Sequence, residues 1–122
     1  NQDIALKLRE LNVSNRTEII YDSAEPKSGE EIRRMGFLMY PAKKGADSIN
    51  MGIDVLRRFK LHITKNSTNA LHEFKYYKWL TDRNGQIVNK PATNQQDHLI
   101  DAVRYIALNK LTTNYSGKYY IL

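Results

Sequence analysis

Hydrophobic residues recur at helical spacing along much of this chain and predict a series of short amphipathic helices. Ile4, Leu8 and Leu11 follow an i, i+4, i+7 pattern, so the first helix is expected to end near Asn12. The pattern is equally regular in residues 95–108, "QQDHLIDAVRYIAL". These two segments predict helices near either end of the chain.

Serine residues mark the expected starts of three further helices. Ser28 and Glu31 form a capping box after a proline turn, and a glycine at position 36 is expected to end that helix. Ser48 and Ser67 are the expected N-caps of the next two helices. The first of these two helices carries Ile49, Ile53 and Leu56 at helical spacing, and the predicted inner face of the second is formed by Ala70, Leu71, Phe74 and Tyr77.

Short β-branched and aromatic runs between these helices predict strands. They are "EIIYD" at 18–22, "FLMYPA" at 37–42 and "KLHIT" at 60–64, and two further runs flank Asn84-Gly85, a strong hairpin signal. Strands that alternate with helices indicate the α/β class, here with a mainly parallel sheet and a peripheral hairpin.

Composition restricts the class of protein further. A chain of 122 residues with 41% hydrophobic content predicts one domain with a single core. The formal charge of +6 suits a polyanionic partner such as nucleic acid. No apolar run is long enough for a membrane span or a signal peptide, so we expect a soluble domain.

Several kinds of catalytic site are excluded. The chain has no cysteine, and its three histidines are scattered over different predicted elements, so a zinc site is not expected. It contains neither a phosphate-binding loop nor a G-x-S-x-G elbow for a serine nucleophile. If the protein works with an ATP-driven motor, that motor lies elsewhere.

Asp22 is the first candidate functional residue. It ends a predicted strand, and sites in α/β proteins form in the crevice outside the carboxyl ends of strands. The alternative is that its side chain only caps the following turn, as Asp often does. Glu25 follows three residues later, and one of the two carboxylates is expected to be solvated.

The last predicted helix carries an imidazole and a carboxylate on one face. His98 and Asp101 are three residues apart, and Asp97 lies one turn before Asp101. Mg²⁺ and Mn²⁺ prefer carboxylate oxygens from separate elements, with substrate phosphate completing the shell. The alternatives are a half-buried histidine bonded to the backbone, and an Asp97 that merely complements the helix dipole.

Lys43 and Lys44 lie in a loop between a predicted strand and a predicted helix. Basic side chains there are suited to a phosphate backbone. A solvated loop is the alternative interpretation of the pair.

Four segments occur in this order: "IIYDSAEP", "AKKGADSINMGIDVL", "YYKWLTDRNG" and "DHLIDAVRYIAL". Together they resemble the C-terminal nuclease domain of the large terminase subunit of tailed bacteriophages, from about residue 4 to about residue 108. Each segment alone is weakly specific, whereas four in order are strongly indicative.

The resemblance implies a ribonuclease-H-like fold, with a mixed sheet of the integrase/resolvase type flanked by helices. It implies that Asp22 and Asp101 are metal ligands and that His98 lies close to the metal. Two Mg²⁺ or Mn²⁺ ions about 3.5–4 Å apart are expected, one activating water and the other stabilising the leaving oxygen. Lys43 and Lys44 are the expected DNA contacts.

The implied biological setting is genome packaging in the cytoplasm of a host bacterium, where concatemeric double-stranded DNA is cut. The terminase small subunit and the portal protein are the expected partners of the parent protein.

One feature departs from the family pattern. Family members carry a first metal-ligand Asp on an opening strand, before the helix that resembles residues 4–11, and Asp3 cannot replace it because it precedes a helix. We therefore expect residues 1–122 to be an N-terminally incomplete nuclease domain, with an unassigned tail at 109–122. Weak metal binding and dimerisation through exposed sheet edges are expected consequences.

The leading hypothesis is thus a metal-dependent DNA endonuclease. The first alternative is a catalytically inactive DNA-binding or packaging-assembly module, which the missing carboxylate favours. The second is another ribonuclease-H-like nuclease, such as a resolvase or transposase.

Overall fold

The computed structural model describes residues 1–112, and the predicted tail beyond residue 112 lies outside them. The chain divides into two compact units, residues 1–44 and the residues from Gly45 onward, and each is described by itself. Within residues 1–112, no helix is both long and apolar enough to cross a membrane.

The first unit alternates helices and strands. Its elements are α1 (Gln2–Glu10), β1 (Glu18–Tyr21), α2 (Pro26–Arg34) and β2 (Leu38–Pro41). The two strands pair in parallel, with Glu18 opposite Leu38 and Tyr21 opposite Pro41. Parallel strands need a crossover connection, and α2 provides it.

The core of the first unit lies between its helices and the strand pair. Its buried residues are Ala5, Ile32, Phe37 and Met39. The aromatic ring of Tyr21 lies directly over Gly29 of α2, where an added Cβ would come within 2.3 Å of ring carbon Cζ. Only a glycine allows the helix to approach the strand residue this closely.

The predicted capping box at the start of α2 is wrong. The helix begins earlier, with Glu25 as the N-cap and Pro26 in the first turn, so Ser28 lies inside the helix. Proline at the first helical position fits because its fixed φ is already helical and its missing N–H would have no partner there. Glu31 instead accepts a hydrogen bond from Asn1 Nδ2 at 2.5 Å.

The second unit contains three helices and a hairpin among its described residues. They are α3 (Ser48–Arg57), α4 (Thr68–Tyr76), β3 (Trp79–Thr81), β4 (Ile87–Pro91) and α5 (His98–Lys110). The antiparallel β3–β4 pair confirms the hairpin predicted around Asn84-Gly85. Asp82 Oδ1 holds the turn by accepting the backbone N–H groups of Asn84 at 2.8 Å and Gln86 at 2.9 Å.

The core of the second unit centres on the packing of α3 against α5. Val55, Leu56 and Ala107 are buried together, with Leu111 packed against them. The two helices approach closely at Gly52 of α3, because a Cβ there would stand 2.2 Å from Arg104 Cγ. The stem of Arg104 therefore occupies the space that the glycine leaves.

The strand predicted at 60–64 is wrong. This segment forms no strand; its residues contribute to the wall of an apolar cavity of about 670 Å³, together with Phe74 and Val103. A strand needs a neighbour to pair with, and within residues 1–112 this segment pairs with none. The described strands form two separate two-stranded sheets rather than one mainly parallel sheet.

Two helix starts need smaller corrections. Asp47, not Ser48, is the N-cap of α3, in a left-handed conformation with φ of 60°. Ser67 does occupy the N-cap position of α4, but its hydroxyl lies 2.5 Å from Thr64 Oγ1 instead of capping a backbone N–H. On α4, Leu71 is 41% exposed rather than on the inner face.

Candidate functional site

Asp22 lies immediately after the last residue of β1, at the carboxyl end of the strand. Its Oδ1 accepts the backbone N–H of Ala24 at 2.9 Å, which is the turn-capping role expected of Asp after a strand. Its side chain is 44% exposed, so the carboxylate remains accessible to solvent.

Lys44 forms an ion pair with Asp22, its Nζ bonded to the same Oδ1. The lysine follows β2, and the parallel pairing of β1 and β2 brings their carboxyl ends to one edge. The Asp22 carboxylate therefore already attracts a cationic group in this unit. Lys43, the other predicted DNA contact, is also exposed in the loop after β2.

His98 and Asp101 lie in the first turn of α5, which confirms that they share a helix. His98 is exposed, whereas the Asp101 side chain is 34% exposed and its Oδ1 accepts Arg104 Nη2 at 3.1 Å. Asp97 is the N-cap, yet among the described residues its side chain makes no capping hydrogen bond.

Glu73 of α4 supplies that cap. Its Oε1 accepts the backbone N–H groups of Leu99 at 2.9 Å and Ile100 at 3.1 Å. The residue is only 6% exposed, so this is a buried carboxylate held by two main-chain donors. Sequence analysis missed it, although an acidic residue between the predicted inner-face positions Ala70 and Phe74 was a signal that it faces the interior.

Arg104 is the second residue that sequence analysis missed. It is 5% exposed, its stem packs against Gly52, and its guanidinium carbon lies 5.0 Å from the centroid of the Tyr105 ring. Within residues 1–112 its buried Nε has no hydrogen-bond partner. The guanidinium is thus held by packing as well as by its bond to Asp101.

Burial raises the pKa of Tyr77, the residue that follows α4. The negative charge of Asp101 raises this pKa further, Arg104 opposes the shift, and Asp97 adds to it. The phenol of Tyr77 thus lies within the electrostatic influence of the first turn of α5. Among the described contacts of Asp101, the ion pair with Arg104 is the one that holds its carboxylate.

The chemistry of these donors fits a hard divalent cation, although the described residues do not form a complete ligand shell. Carboxylate oxygens are what Mg²⁺ and Mn²⁺ prefer, and both candidate carboxylates already hold a cationic side chain. Nowhere in residues 1–112 do three or more His, Cys, Asp or Glu side chains gather into a metal-binding group. Mg²⁺ commonly binds through one or two carboxylates plus waters and substrate phosphates, so few protein ligands are compatible with it.

Comparison with known proteins decides the family. The model of the family described as Terminase RNAseH like domain matches residues 1–109. The chain belongs to this family. It is 30% identical over 102 residues to the PBSX phage terminase large subunit of Bacillus subtilis (strain 168), a match that covers 83% of this chain and 23% of that protein.

A solved structure agrees with this assignment. The large terminase (g2p) nuclease domain of bacteriophage SPP1, crystallised with bound Mn, matches with a TM-score of 0.73 and 28% sequence identity. The match covers 84% of the present chain and 59% of the SPP1 domain. The present chain therefore spans less than two thirds of the length of both the SPP1 domain and the PBSX protein.

These matches confirm the predicted α/β, RNase H-like fold and the family suggested by the four sequence segments. They favour a terminase large-subunit nuclease domain over a resolvase or transposase. The roles of Asp22, His98, Asp101, Lys43 and Lys44 stay predictions, as does the expectation that residues 1–122 form a single domain.

Proposed function

We propose that this terminase chain contributes to a divalent-metal-dependent endonuclease that cuts double-stranded viral DNA during genome packaging. The observation that carries the proposal is the match to a terminase nuclease domain crystallised with bound Mn. The partly exposed carboxylates of Asp22 and Asp101 support it, because carboxylate oxygens are the ligands that Mg²⁺ and Mn²⁺ prefer.

Asp22 and Asp101 are the proposed metal ligands, and His98 is an auxiliary ligand or a proton-transfer group. When bound, a pair of Mg²⁺ or Mn²⁺ ions would activate water and stabilise the leaving oxygen of a phosphodiester. The imidazole of His98 is exposed and lies three residues before Asp101 on the same helical turn, which supports this proposed role.

Basic residues of the chain are proposed to hold the DNA backbone. Lys43 and Lys44 are the predicted contacts in the first unit. In the second unit, residues 57–65 carry four Lys and Arg side chains and no acidic residue. Phosphate contacts position a duplex without reading its sequence, which suits a cutter of limited specificity.

The parent protein is proposed to act with a terminase small subunit and a portal protein in the cytoplasm of a bacterial host. The name of the PBSX relative, a phage terminase large subunit, supports this setting. Because the chain covers only 23% of that relative, these partners are proposed for the parent protein and not for this chain alone.

The experiment that tests this function is plasmid nicking by the purified chain in Mn²⁺. Asp101→Asn removes one proposed ligand, and Asp97→Asn is the matched control because it makes the same change one turn earlier on the same helix. We expect nicking that EDTA and Asp101→Asn abolish and that Asp97→Asn leaves intact. Cleavage that persists in Asp101→Asn would contradict the assignment.

A DNA-binding module without cleavage is the second candidate function. It is favoured by one observation, that residues 1–112 bring no three potential metal ligands together. The same plasmid assay separates the two candidates. A plasmid that is retarded on a gel but stays intact in Mn²⁺ supports the binding module for this chain.

A further inference from the structure

We propose that Glu73 is a positioning residue, which fixes the first turn of α5 and thereby the direction of Asp101 and His98. This inference rests on the proposed function, because those two residues matter only if they meet a metal ion or the DNA. It assigns a role to a carboxylate on a different helix from the one that carries the proposed ligands.

The first argument is the hydrogen bonding at the start of α5. The first four N–H groups of a helix have no partner within the helix, and a side chain of the N-cap residue usually satisfies one of them. Among the described residues, Asp97 makes no such bond. Glu73 Oε1 accepts two of these N–H groups at once, those of Leu99 and Ile100.

The second argument is where those two residues lie. Leu99 and Ile100 are between His98 and Asp101, so the bonds from Glu73 fix the backbone on which both proposed ligands stand. Glu73 as a residue is 6% exposed, and its bond to Ile100 is buried, so water does not readily replace that bond. A first turn without these bonds would fray, and the two side chains would then sample many directions.

The third argument is that the segment just before α5 is hydrogen-bonded to the segment just after α4. The Gln95 side chain accepts the backbone N–H of Lys78 and donates to its carbonyl oxygen, both at 3.1 Å, and also donates to Ala92 at 2.9 Å. Lys78 lies two residues beyond the end of α4. The chain entering α5 is therefore fixed to the end of the helix that carries Glu73, and Glu73 completes this attachment.

Two variants separate positioning from simple electrostatic attraction. Glu73→Gln removes the negative charge but keeps an oxygen at the same distance along the side chain, so it can still accept both N–H groups. Glu73→Asp keeps the charge but shortens the side chain by one methylene, so the acceptor is withdrawn from α5. Asp54→Asn, an exposed change on α3, controls for loss of one negative charge.

The measurement is Mn²⁺ affinity of the whole chain, read from the electron paramagnetic resonance signal of free Mn²⁺ at a temperature where circular dichroism shows each variant folded. We expect Glu73→Asp to weaken binding by about 10- to 100-fold, the range found when residues that orient metal ligands are changed. Glu73→Gln should retain most of the Mn²⁺ affinity, and Asp54→Asn should bind Mn²⁺ as tightly as the unmutated chain of 122 residues does.

Each other outcome overturns the inference in a distinct way. If Glu73→Gln is weakened as much as Glu73→Asp, or more, charge rather than positioning explains the effect. If both lower the melting temperature while the folded chain keeps its Mn²⁺ affinity, Glu73 only stabilises the fold. If Asp101→Asn leaves Mn²⁺ binding unchanged, or the parent chain binds none, the proposed function fails and this inference fails with it.

Discussion

Replacing Gly52 with alanine perturbs a tight contact between α3 and α5 in the second unit. Gly52 is buried inside α3, and an added Cβ would stand 2.2 Å from Arg104 Cγ and 3.0 Å from its Cδ. Cγ belongs to the base of the side chain, so the stem of Arg104 cannot move aside while the guanidinium stays in place. Either Arg104 or the α3–α5 packing must shift.

The change in the free energy of unfolding combines one stabilising effect and two destabilising effects. A glycine-to-alanine change inside a helix normally stabilises it by about 0.5–1 kcal/mol. Overpacking of a core costs about 1–3 kcal/mol. Displacing Arg104 also loses its charge-assisted bond to Asp101, worth up to about 1.5–3 kcal/mol but less here because the Asp101 side chain is 34% exposed. We expect the free energy of unfolding to fall by about 2 kcal/mol.

The assay is equilibrium urea unfolding of the chain at neutral pH. Gly45→Ala is the control, because no described atom lies within 4 Å of a Cβ built there. Adding Arg104→Ala to Gly52→Ala removes the colliding atoms. In a double-mutant cycle, the double variant should therefore be more stable than the sum of the two single effects predicts, by more than about 0.5 kcal/mol. A Gly52→Ala chain as stable as the parent would refute the steric reasoning.

Two further predictions concern the first unit. Gly29→Ala should destabilise it by about 1–3 kcal/mol, because the new Cβ would collide with the ring of Tyr21; amide hydrogen exchange of β1 measures this, and unchanged protection would contradict it. The hydrogen bond from Arg33 lowers the pKa of Glu30 to about 2. The stabilisation from this pair should be present above the ordinary carboxyl pKa of 4.5 and be lost as pH falls through about 2. Carbon-13 NMR of the Glu30 carboxyl measures this pKa directly. Arg33→Gln should move the titration midpoint of Glu30 back toward 4.5, and a midpoint already near 4.5 in the unmutated chain would disprove the effect.

The elements that local sequence predicts well are those that depend on local physics. The spacing of Ile4, Leu8 and Leu11 predicts α1, which the structure places at Gln2–Glu10. The Asn84-Gly85 turn predicts the hairpin because few residues adopt its backbone angles, and Gly85 indeed has φ of +76°. In these cases the determining interactions lie within a few residues of each other.

The elements that failed depend on distant partners or on competing local signals. Residues 60–64 have strand-forming composition, but a strand requires a neighbour, and composition does not say whether one is present. At α2, two start signals compete, and the proline at position 26 outweighs the capping box at Ser28. The competing start signals of α2 were visible in the sequence, whereas the lack of a partner strand for residues 60–64 within residues 1–112 was not.

The candidate site shows the same division. The sequence by itself determined the α/β alternation, the placing of Asp22 at a strand end, and the sharing of one helical turn by His98 and Asp101, because strand and helix periods are local properties. It also carried the four segments that indicated the terminase family, which the family match confirms.

Only the tertiary structure decided what surrounds those residues. It showed that Glu73, on another helix, caps α5, and that the stem of Arg104 lies against Gly52 while its guanidinium holds Asp101. It also showed that Lys44 pairs with Asp22. The bond between Arg104 and Asp101 is local in the chain, and only its burial depends on the fold. The other contacts join residues that are far apart in the chain, and no local pattern encodes which distant donor meets which acceptor.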